Sequence, residues 1–424
     1  MNARRWTRLA AFAAPFAALF ALSVGCAPAN AFTGTVVDAG TGQPIAGAVV
    51  TAASGIWRSD AAGRFTSEHT AATISARAPG YLRQTVTVSG DGPLTIALAP
   101  FKPRAVYLSA FGATSTTLRD AAVALTETTA VNALVIDMKG DRGITPYHSA
   151  AREAVGANAH VSAPSPETDR FGAIVASLHR RNLYLIARIV VFKDDPLAAA
   201  HPEWTVRDAA GEPWHDREGL RWVDPFINAV WRHNIDLAEE AARAGFDEIQ
   251  FDYVRFPDSA GVHFSMPNTR ANRVAAIVGF LDAARERLQP YNVFLAADIF
   301  GYVCWNRDDT AIGQQLETLA APLDYISPML YPSGFTWGLP GLHDPVSAPG
   351  QIVRRSLAEA KRRTGLPGVR FRPWLQAFRD YAFDRRAFGA DEIRAQIDAA
   401  QAEGSDGWML WNPRNHYESE QLPR

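Results

Sequence analysis

Beyond residue 103, short apolar runs alternate with longer segments in which apolar residues recur at helical spacing. This alternation is typical of βα units, in which a buried parallel strand precedes a helix that packs on the sheet. The apolar runs lie at 105–109, 133–138, 183–189, 248–252, 293–298, 325–329, 372–375 and 407–410. The helical segments lie at 115–128, 171–181, 228–243, 270–288, 347–364 and 390–403. Strands and helices in this order predict a (β/α)8 TIM barrel.

Between residues 32 and 100 the apolar runs are shorter, and turn residues separate them. The runs 35–37, 48–52, 73–76 and 94–98 are rich in β-branched residues, with Gly and Asp between them. This pattern predicts a small antiparallel β-sandwich. The predicted fold class is therefore α/β, a TIM barrel over 101–424 preceded by an all-β sandwich over 32–100.

The first thirty-one residues have the pattern of an export signal. Arginines at positions 4, 5 and 8 precede an apolar run over 9–24, which is too short to span a bilayer comfortably. We expect cleavage after Ala31 and export to the periplasm or the extracellular medium. In the alternative, Cys26 is lipidated and anchors the chain to a membrane. No second apolar stretch approaches about 18 residues, so the sequence predicts no transmembrane helix in the mature chain.

Composition excludes several classes of protein. The 42 Lys and Arg residues against 44 Asp and Glu residues give no basic excess, which argues against a nucleic-acid partner. Two cysteines are too few for a disulfide framework, and the histidines lack metal-ligand spacing, so we predict neither a metal nor a cofactor. No G-x-G-x-x-G follows the first run, which disfavours the alternative of an open dinucleotide-binding sheet. Serine-hydrolase and phosphate-loop motifs are also absent from the sequence.

Two aspartates end neighbouring predicted strands. In the fourth run, Ile249 and Phe251 alternate with Gln250 and Asp252, so we expect the polar pair to face the barrel interior. The fifth run ends at Asp298 with the same alternation. Burying two carboxylates together has no apolar benefit, which favours catalysis over the alternative of a structural hydrogen-bond network.

The second and third runs add charged candidates. Asp137 and Lys139 share one face of the second run, and we expect them to form an ion pair or an orienting pair. Arg188, near the end of the third run, either clamps substrate or neutralises the acidic barrel mouth.

Aromatic residues follow several of the predicted strands. The long segment after the third run contains Trp204, Trp214 and Trp222, and Trp305, Tyr331, Trp337 and Trp411 follow later strands. Flat aromatic faces bind sugar rings, although packing within the loops is the alternative. We therefore predict a carbohydrate cleft. The predicted substrate-binding residues are Asp137, Lys139, Arg188, Gln250, Arg255, Trp222, Tyr331, Gln376, Trp411 and Asn412.

Two sequence resemblances extend these expectations. The stretch 34–50 with 59–65 resembles the carboxypeptidase regulatory-like domain, a transthyretin-like sandwich, which implies a non-catalytic spacer or binding module. The stretch GFDEIQFDYVRFP at 245–257, with 135–139 and 325–332, resembles a bacterial glycoside hydrolase-like domain of unassigned substrate, from about residue 104 to 417. That resemblance implies a TIM barrel related to glycosidases.

A more distant resemblance connects the barrel with α-amylase-like enzymes, whose nucleophile ends the fourth strand and whose acid ends the fifth. It implies Asp252 as the nucleophile and Asp298 as the general acid and base. Two positions differ, because Gln250 stands where those barrels have an arginine, and Asp298 stands where they have a glutamate.

These observations favour hydrolysis of glycosidic bonds in an extracytoplasmic polysaccharide by two carboxylates. Adjacent strands about 4.8 Å apart would hold the carboxyl groups within the roughly 5–9 Å that glycoside hydrolysis uses. The alternative is a surface carbohydrate-binding protein that keeps the sugar cleft without turnover.

Overall fold

The computed structural model describes residues 32–67, 71–88, 93–161 and 171–424. The leader over 1–31, with its predicted cleavage site and Cys26, lies outside the described residues. The first part of the described chain forms two small sheets. Their strands are β1 (Phe32–Asp38), β2 (Val49–Ala52), β3 (Gly55–Arg58), β4 (Arg64–Ser67), β5 (Thr73–Arg77), β6 (Gln84–Thr87) and β7 (Leu94–Leu98).

One sheet has the order β4-β1-β7 and the other β3-β2-β5-β6. Apolar residues from both sheets, including Val36, Val50, Phe65 and Ile74, form a common core. Alternate strand positions supply this core, as the period of two along a strand requires. Strands β1 and β7 pair in parallel, so the prediction of a wholly antiparallel sandwich is wrong for this pair.

Eight parallel strands then close into a barrel in sequence order, which confirms the predicted TIM barrel. Each strand overlaps a predicted run, because the side of a strand that packs beneath the helices must be apolar. The strands are β8 (Arg104–Leu108), β9 (Ala133–Lys139), β10 (Tyr184–Val190), β11 (Glu248–Asp252), β12 (Phe294–Phe300), β13 (Tyr325–Met329), β14 (Trp374–Gln376) and β15 (Trp408–Trp411).

Helices surround the barrel, and capping residues mark some of their ends. Thr269 accepts a hydrogen bond from the backbone amide of Asn272 at the start of α7 (Arg270–Leu288), and Gly245 ends α6 (Asn228–Ala244) with a φ of 109°. None of the helices in the described ranges combines the length and the apolar character needed to cross a bilayer. The helices are α1 (Ala110–Thr114), α2 (Thr116–Thr128), α3 (Ala150–Ala154), α4 (Phe171–His179), α5 (Asp195–Ala200), α6 (Asn228–Ala244), α7 (Arg270–Leu288), α8 (Leu316–Leu319), α9 (Pro349–Thr364) and α10 (Ala390–Ala402).

The two faces of each barrel strand bury different layers. Phe294 and Ala296 of β12 point into the barrel, where they join Tyr107 and Trp374. Leu295, like other residues of the opposite face, packs beneath the helices. The inward direction predicted for the face that carries Asp298 is therefore confirmed.

Strand β9 contains a β-bulge that changes the predicted geometry. Arg188 pairs with Asp137, but the next residue, Ile189, pairs with Lys139, so the register passes over Met138. Since a bulge inserts one residue, Lys139 leaves the inner face that Asp137 occupies. The prediction that Asp137 and Lys139 share a face is wrong for this reason.

The sandwich packs against the N-terminal end of the barrel. Arg83 donates to Oδ1 of Asp247 at 3.0 Å, just before β11 begins. The backbone amide of Gly80 donates to the hydroxyl of Tyr325, the first residue of β13, at 3.1 Å. The sandwich thus leaves the C-terminal end of the barrel, where TIM-barrel active sites lie, uncovered.

Candidate active site

Arg188, near the C-terminal end of β10, lies at the centre of a carboxylate cluster. Its Nη1 donates to Oδ1 of Asp137 at 2.7 Å, and its Nη2 donates to Oδ1 of Asp141 at 2.8 Å. Both Nε and Nη2 donate to Oδ2 of Asp252, at 2.9 and 2.6 Å. The planar guanidinium can satisfy several carboxylates at once because its donors have fixed directions. Arg188 therefore offsets part of the negative charge of the barrel mouth: three carboxylates are hydrogen-bonded to it, and Oδ2 of Asp298 lies 4.0 Å from its Nε.

Asp252 ends β11 beside a strained residue. The backbone amide of Tyr253 donates to Oδ1 of Asp252. Tyr253 has a φ of 47°, in the left-handed region that tyrosine rarely adopts. Strain of this kind persists only where the surroundings enforce it, and it is frequent at functional sites. The turn at Tyr253 ends the strand and leaves Asp252 on the pocket wall.

Asp298 occupies the neighbouring inner strand. Gln250 and Ala296 are in register, so the residues two positions further along β11 and β12 are Asp252 and Asp298. Nε1 of Trp374 donates to Oδ1 of Asp298 at 2.7 Å, while Oδ2 has no hydrogen-bond partner among the described residues. Burial raises the pKa of Asp298 well above its usual range, and the charge of Asp252 raises it further. Asp298 therefore keeps its proton to a higher pH than an exposed aspartate does.

Asp137 is held between Arg188 and a buried tyrosine. The hydroxyl of Tyr107 donates to its Oδ2 at 2.6 Å. Burial raises the pKa of Asp137 to about 6, although the guanidinium of Arg188 opposes that shift. The ring of Tyr107 stacks on Trp411 with their centres 3.9 Å apart, and Trp411 also covers the Arg188 guanidinium. These contacts fix the orientation of Arg188.

A pocket of about 380 Å³ opens over this cluster. A cavity of this size is in the range of small-molecule sites, and its wall combines charged groups with aromatic rings. Aromatic faces beside carboxylates suit a sugar ring, which has an apolar face and polar edges. The charged and aromatic residues of the wall are Asp141, Arg188, Asp252, Arg255, Tyr253, Phe300, Tyr331, Phe335, Trp374, Tyr381 and Trp411.

The structure places the predicted site residues in three groups. The pocket wall includes Arg188, Asp252, Arg255, Tyr331 and Trp411. Asp137 and Asp298 are 2% and 1% exposed and lie just beneath the pocket wall. Asp137 accepts a hydrogen bond from Arg188, and Asp298 accepts one from Trp374. The remaining predicted residues lie elsewhere.

Lys139 does not reach the pocket and does not pair with Asp137. Its Nζ donates to Oδ2 of Asp194 and to Oδ1 of Asn234, each at 2.7 Å. Arg152 bonds to the same oxygen of Asp194 at 2.6 Å. Lys139 is fully buried between β9 and α6, so its predicted contact with substrate and its predicted pairing are both wrong.

Four other predicted sugar contacts support the barrel instead of lining the pocket. Gln250 is buried inside the barrel and donates to Oγ of Ser327 at 3.1 Å. Gln376, also buried, donates to Oγ of Ser333 at 2.7 Å. Trp222 is 3% exposed and packs beneath Arg255, whose guanidinium lies 4.9 Å from the ring centre. Asn412 donates to the backbone oxygens of residues 377 and 416 and so holds the loop after β15.

Sequence reasoning missed several residues of the site. Tyr107 and Trp374 stand in apolar runs and have the character of ordinary core residues. Asp141 lies three residues beyond the end of the second run, and the nearby Gly140 and Gly143 were the one available signal for a loop at the barrel mouth. Only the closed barrel brings these three residues to Arg188 and Asp298.

No group of three or more His, Cys, Asp or Glu side chains in the described part of the chain is arranged to hold a metal ion. The acidic residues of the pocket instead converge on the Arg188 guanidinium.

The fold and the site together define the class: a TIM barrel with an acidic and aromatic pocket at its C-terminal end. The family described as "Putative glycosyl hydrolase domain" matches residues 105–417, and the chain belongs to this family. No curated protein matches the chain.

Solved structures resemble the chain to different degrees. The glycoside hydrolase domain of PgaB (BpsB) from Bordetella bronchiseptica is 16% identical, with a TM-score of 0.55 over 76% of this chain and 97% of that domain. A hypothetical protein from Ruminiclostridium thermocellum ATCC 27405 is 35% identical, with a TM-score of 0.40 over 46% of this chain and 96% of that one. A chitinase from Chromobacterium violaceum ATCC 12472 is 12% identical, with a TM-score of 0.46 over 75% of this chain and 96% of that one. The likeness to the Bordetella domain shows a shared fold.

Proposed function

We propose that this protein hydrolyses glycosidic bonds, with Asp252 as the nucleophile and Asp298 as the general acid and base. One observation carries this proposal. A buried carboxyl group with a raised pKa stands beside an arginine-paired carboxylate at the ends of adjacent barrel strands. Glycoside hydrolysis uses such a pair, because one group must donate a proton while the other attacks as an anion.

The proposed reaction has two steps. Asp298 transfers its proton to the leaving oxygen while Asp252 attacks the anomeric carbon, which forms a glycosyl-enzyme ester and releases an alcohol. Asp298, now ionised, then takes a proton from water, which attacks the anomeric carbon and releases Asp252. Neighbouring strands about 4.8 Å apart match the roughly 5–5.5 Å separation of retaining enzymes, so we expect the anomeric configuration to be retained.

Arg188 selects the oxygen of Asp252 that attacks. The guanidinium bonds twice to Oδ2, whereas Oδ1 receives only the backbone amide of Tyr253. Oδ1 is therefore the oxygen available to the substrate. Asp137 and Tyr107 act as positioning residues, since they orient Arg188.

The net negative charge of the cluster supports the same chemistry. Asp137, Asp141 and Asp252 all pair with Arg188, and Arg255 is the second cation on the described pocket wall, so the acidic groups are in excess. Positive charge develops on the sugar in an oxocarbenium-like transition state, and fixed negative charge stabilises it.

We further propose an extracytoplasmic polysaccharide as the substrate. The leader pattern over 1–31 and the aromatic pocket wall support this assignment. The sandwich over 32–100 would act as the non-catalytic module that its sequence resemblance implies. Intact-mass measurement of the exported protein separates a chain starting at Phe32 from one that carries acyl groups on Cys26.

The second candidate function is carbohydrate binding without turnover. The 1% exposure of Asp298 favours it, because a general acid must come within hydrogen-bond reach of the leaving oxygen. In this second function, the aromatic pocket wall binds the sugar and Asp298 has a structural role.

A glycan array followed by an assay of reducing-end release separates the two candidates. We expect the wild-type protein to cleave a glycan that it binds, and Asp252→Asn to lose turnover by about 10²-fold or more while still binding. Asp282→Asn, on the exposed face of α7, is the matched control and should keep full activity. Binding without release by the wild-type protein would refute hydrolysis and leave the binding function.

A further inference from the structure

A second cavity lies between the sandwich and the barrel, at the end opposite the active site. It has a volume of about 710 Å³. Sandwich residues between 45 and 58 form one side, and barrel residues between 320 and 324 and between 363 and 370 form the other. Since these barrel segments precede β13 and β14, the groove belongs to the N-terminal end of the barrel.

Three arginines in this groove have no carboxylate partner in the described residues. Arg58 donates to the backbone oxygen of residue 47 at 3.2 Å, and Arg285 donates to that of residue 321 at 2.8 Å. Arg370 donates to the backbone oxygens of residues 320, 323 and 324. Both domains supply guanidinium groups, so the site exists only where they meet.

The acidic residues of the groove are already occupied. Glu317 receives two hydrogen bonds from Arg363, at 2.9 and 2.8 Å. Asp324 accepts the backbone amide of Leu295 at 3.0 Å, and Arg77 of the sandwich lies 3.5 Å from the same oxygen. Asp324 also acts electrostatically on Arg58 and Arg370, but four arginines line the groove against two acidic residues, so a net positive charge remains among the described lining residues.

The arginines of the groove affect one another electrostatically. Burial lowers the pKa of Arg58, and Arg285, Arg77 and Arg370 lower it further, although Asp324 opposes the shift. Burial likewise lowers the pKa of Arg370 and Arg285 lowers it further, although Asp324 and Tyr325 oppose the shift. A partly buried group of like charges raises the free energy of the folded state, and a bound anion would relieve this repulsion.

We propose that this groove binds an oxyanion group, either a sugar carboxylate or a phosphate. Guanidinium forks match the geometry of both groups through paired, charge-assisted hydrogen bonds. The groove would anchor an acidic polymer at the far end of the barrel from the pocket. Anion binding in this groove does not require hydrolysis at Asp252, so the result of its test is independent of the proposed function.

Calorimetric titration of the mature protein tests the anion site. The probes are tetragalacturonate, inorganic phosphate and the neutral maltotetraose. We expect saturable binding of tetragalacturonate, phosphate or both, with affinity that falls as salt rises, and weaker or no binding of the neutral sugar at this groove. Which anion binds identifies the source of the oxyanion.

The double variant Arg58→Gln/Arg285→Gln should weaken anion binding at least tenfold, because two charged donors are removed. Each of these arginines makes a single backbone hydrogen bond, so we expect the variant to fold and to melt no lower than the control. The control is Arg181→Gln, an exposed arginine 3.5 Å from Glu127. Unchanged affinity in the double variant, or no binding of either anion to the wild type, would overturn the proposal. If the double variant does not fold, the single variant Arg285→Gln is used. Anion affinity that is unchanged in this variant, or that does not fall with salt in the wild type, would overturn the proposal.

Discussion

Arg188 lies at the centre of the candidate active site. It is buried, and its guanidinium contacts Asp137, Asp141 and Asp252. A buried ion pair adds little net stability compared with apolar residues, because its desolvation is unfavourable. Removing only the cation is destabilising, because it leaves several carboxylates buried without a counter-charge.

Arg188→Gln should therefore lower the free energy of unfolding by about 3–5 kcal/mol at pH 7. Without the guanidinium, the folded-state pKa values of the neighbouring carboxyl groups rise above their unfolded values. The folded state then binds more protons than the unfolded state, so the loss should shrink as the pH falls towards about 4. Urea denaturation at both pH values measures this, with Arg181→Gln as an exposed control. Equal losses at the two pH values would contradict the electrostatic explanation.

Trp374 tunes the proposed acid. Its indole hydrogen bond lowers the pKa of Asp298, against burial and Asp252, which raise it. Trp374→Phe removes this bond, so the pKa should rise further and Asp298 should keep its proton to higher pH. We expect the alkaline limb of the pH profile of kcat/KM to move upwards. An alkaline limb that stays in place or moves downwards would show that this limb does not report Asp298.

At the level of strands and helices, most of the barrel could be predicted from sequence. Buried strands need apolar residues on the side that faces the helices, and these residues mark β11 (Glu248–Asp252) and β13 (Tyr325–Met329) at their exact bounds. Helix α7 (Arg270–Leu288) was also predicted at its bounds, because its apolar period is sustained.

Long-range geometry could not be predicted in the same way. The β-bulge after Asp137 depends on how β9 pairs with β10, and no residue type in β9 specifies it. It moved Lys139 from the inner face to the helix side. The approach of Trp374 to Asp298 likewise depends on barrel closure, which brings together residues 76 positions apart.

Helix α6 carries a buried histidine with a testable effect on acid stability. His233 is 2% exposed, and burial together with the charge of Lys139 lowers its pKa from 6.5 to about 3, although Asp194 opposes the shift. Between these pH values the unfolded state binds a proton that the folded state does not, so stability falls as the pH falls.

His233→Gln should therefore lose less stability in acid than the wild type. The difference between the two proteins should change by up to about 1.4 kcal/mol per pH unit between pH 6 and 4. Chemical denaturation across this range provides the measurement. Parallel curves of stability against pH for the variant and the wild type would show that His233 does not cause the loss of stability in acid.

In the whole molecule, the two ends of the barrel differ in what they carry. The C-terminal end holds the pocket, and the N-terminal end carries the sandwich. Contacts such as that of Arg83 with Asp247 join the two domains, so we expect them to support each other's stability.

Arg83→Ala should lower the free energy of unfolding by about 1 kcal/mol, because the pair with Asp247 is partly exposed and partly screened. Arg64→Ala, which breaks a largely exposed pair within the sandwich, is the control and should change stability by less than about 0.5 kcal/mol. Equal effects of the two variants would show that the Arg83 contact does not couple the domains.

The most direct test of the central claim compares two substrates in Asp298→Asn. The first is the cleaved glycan, whose leaving group needs a proton, and the second is an aryl glycoside of the same sugar with a leaving group that departs without one. We predict that the variant loses about 10²-fold or more in turnover on the glycan and far less in the bond-breaking step with the aryl glycoside, whereas Asp252→Asn loses activity on both. Equal losses by Asp298→Asn on the two substrates would contradict its role as the general acid.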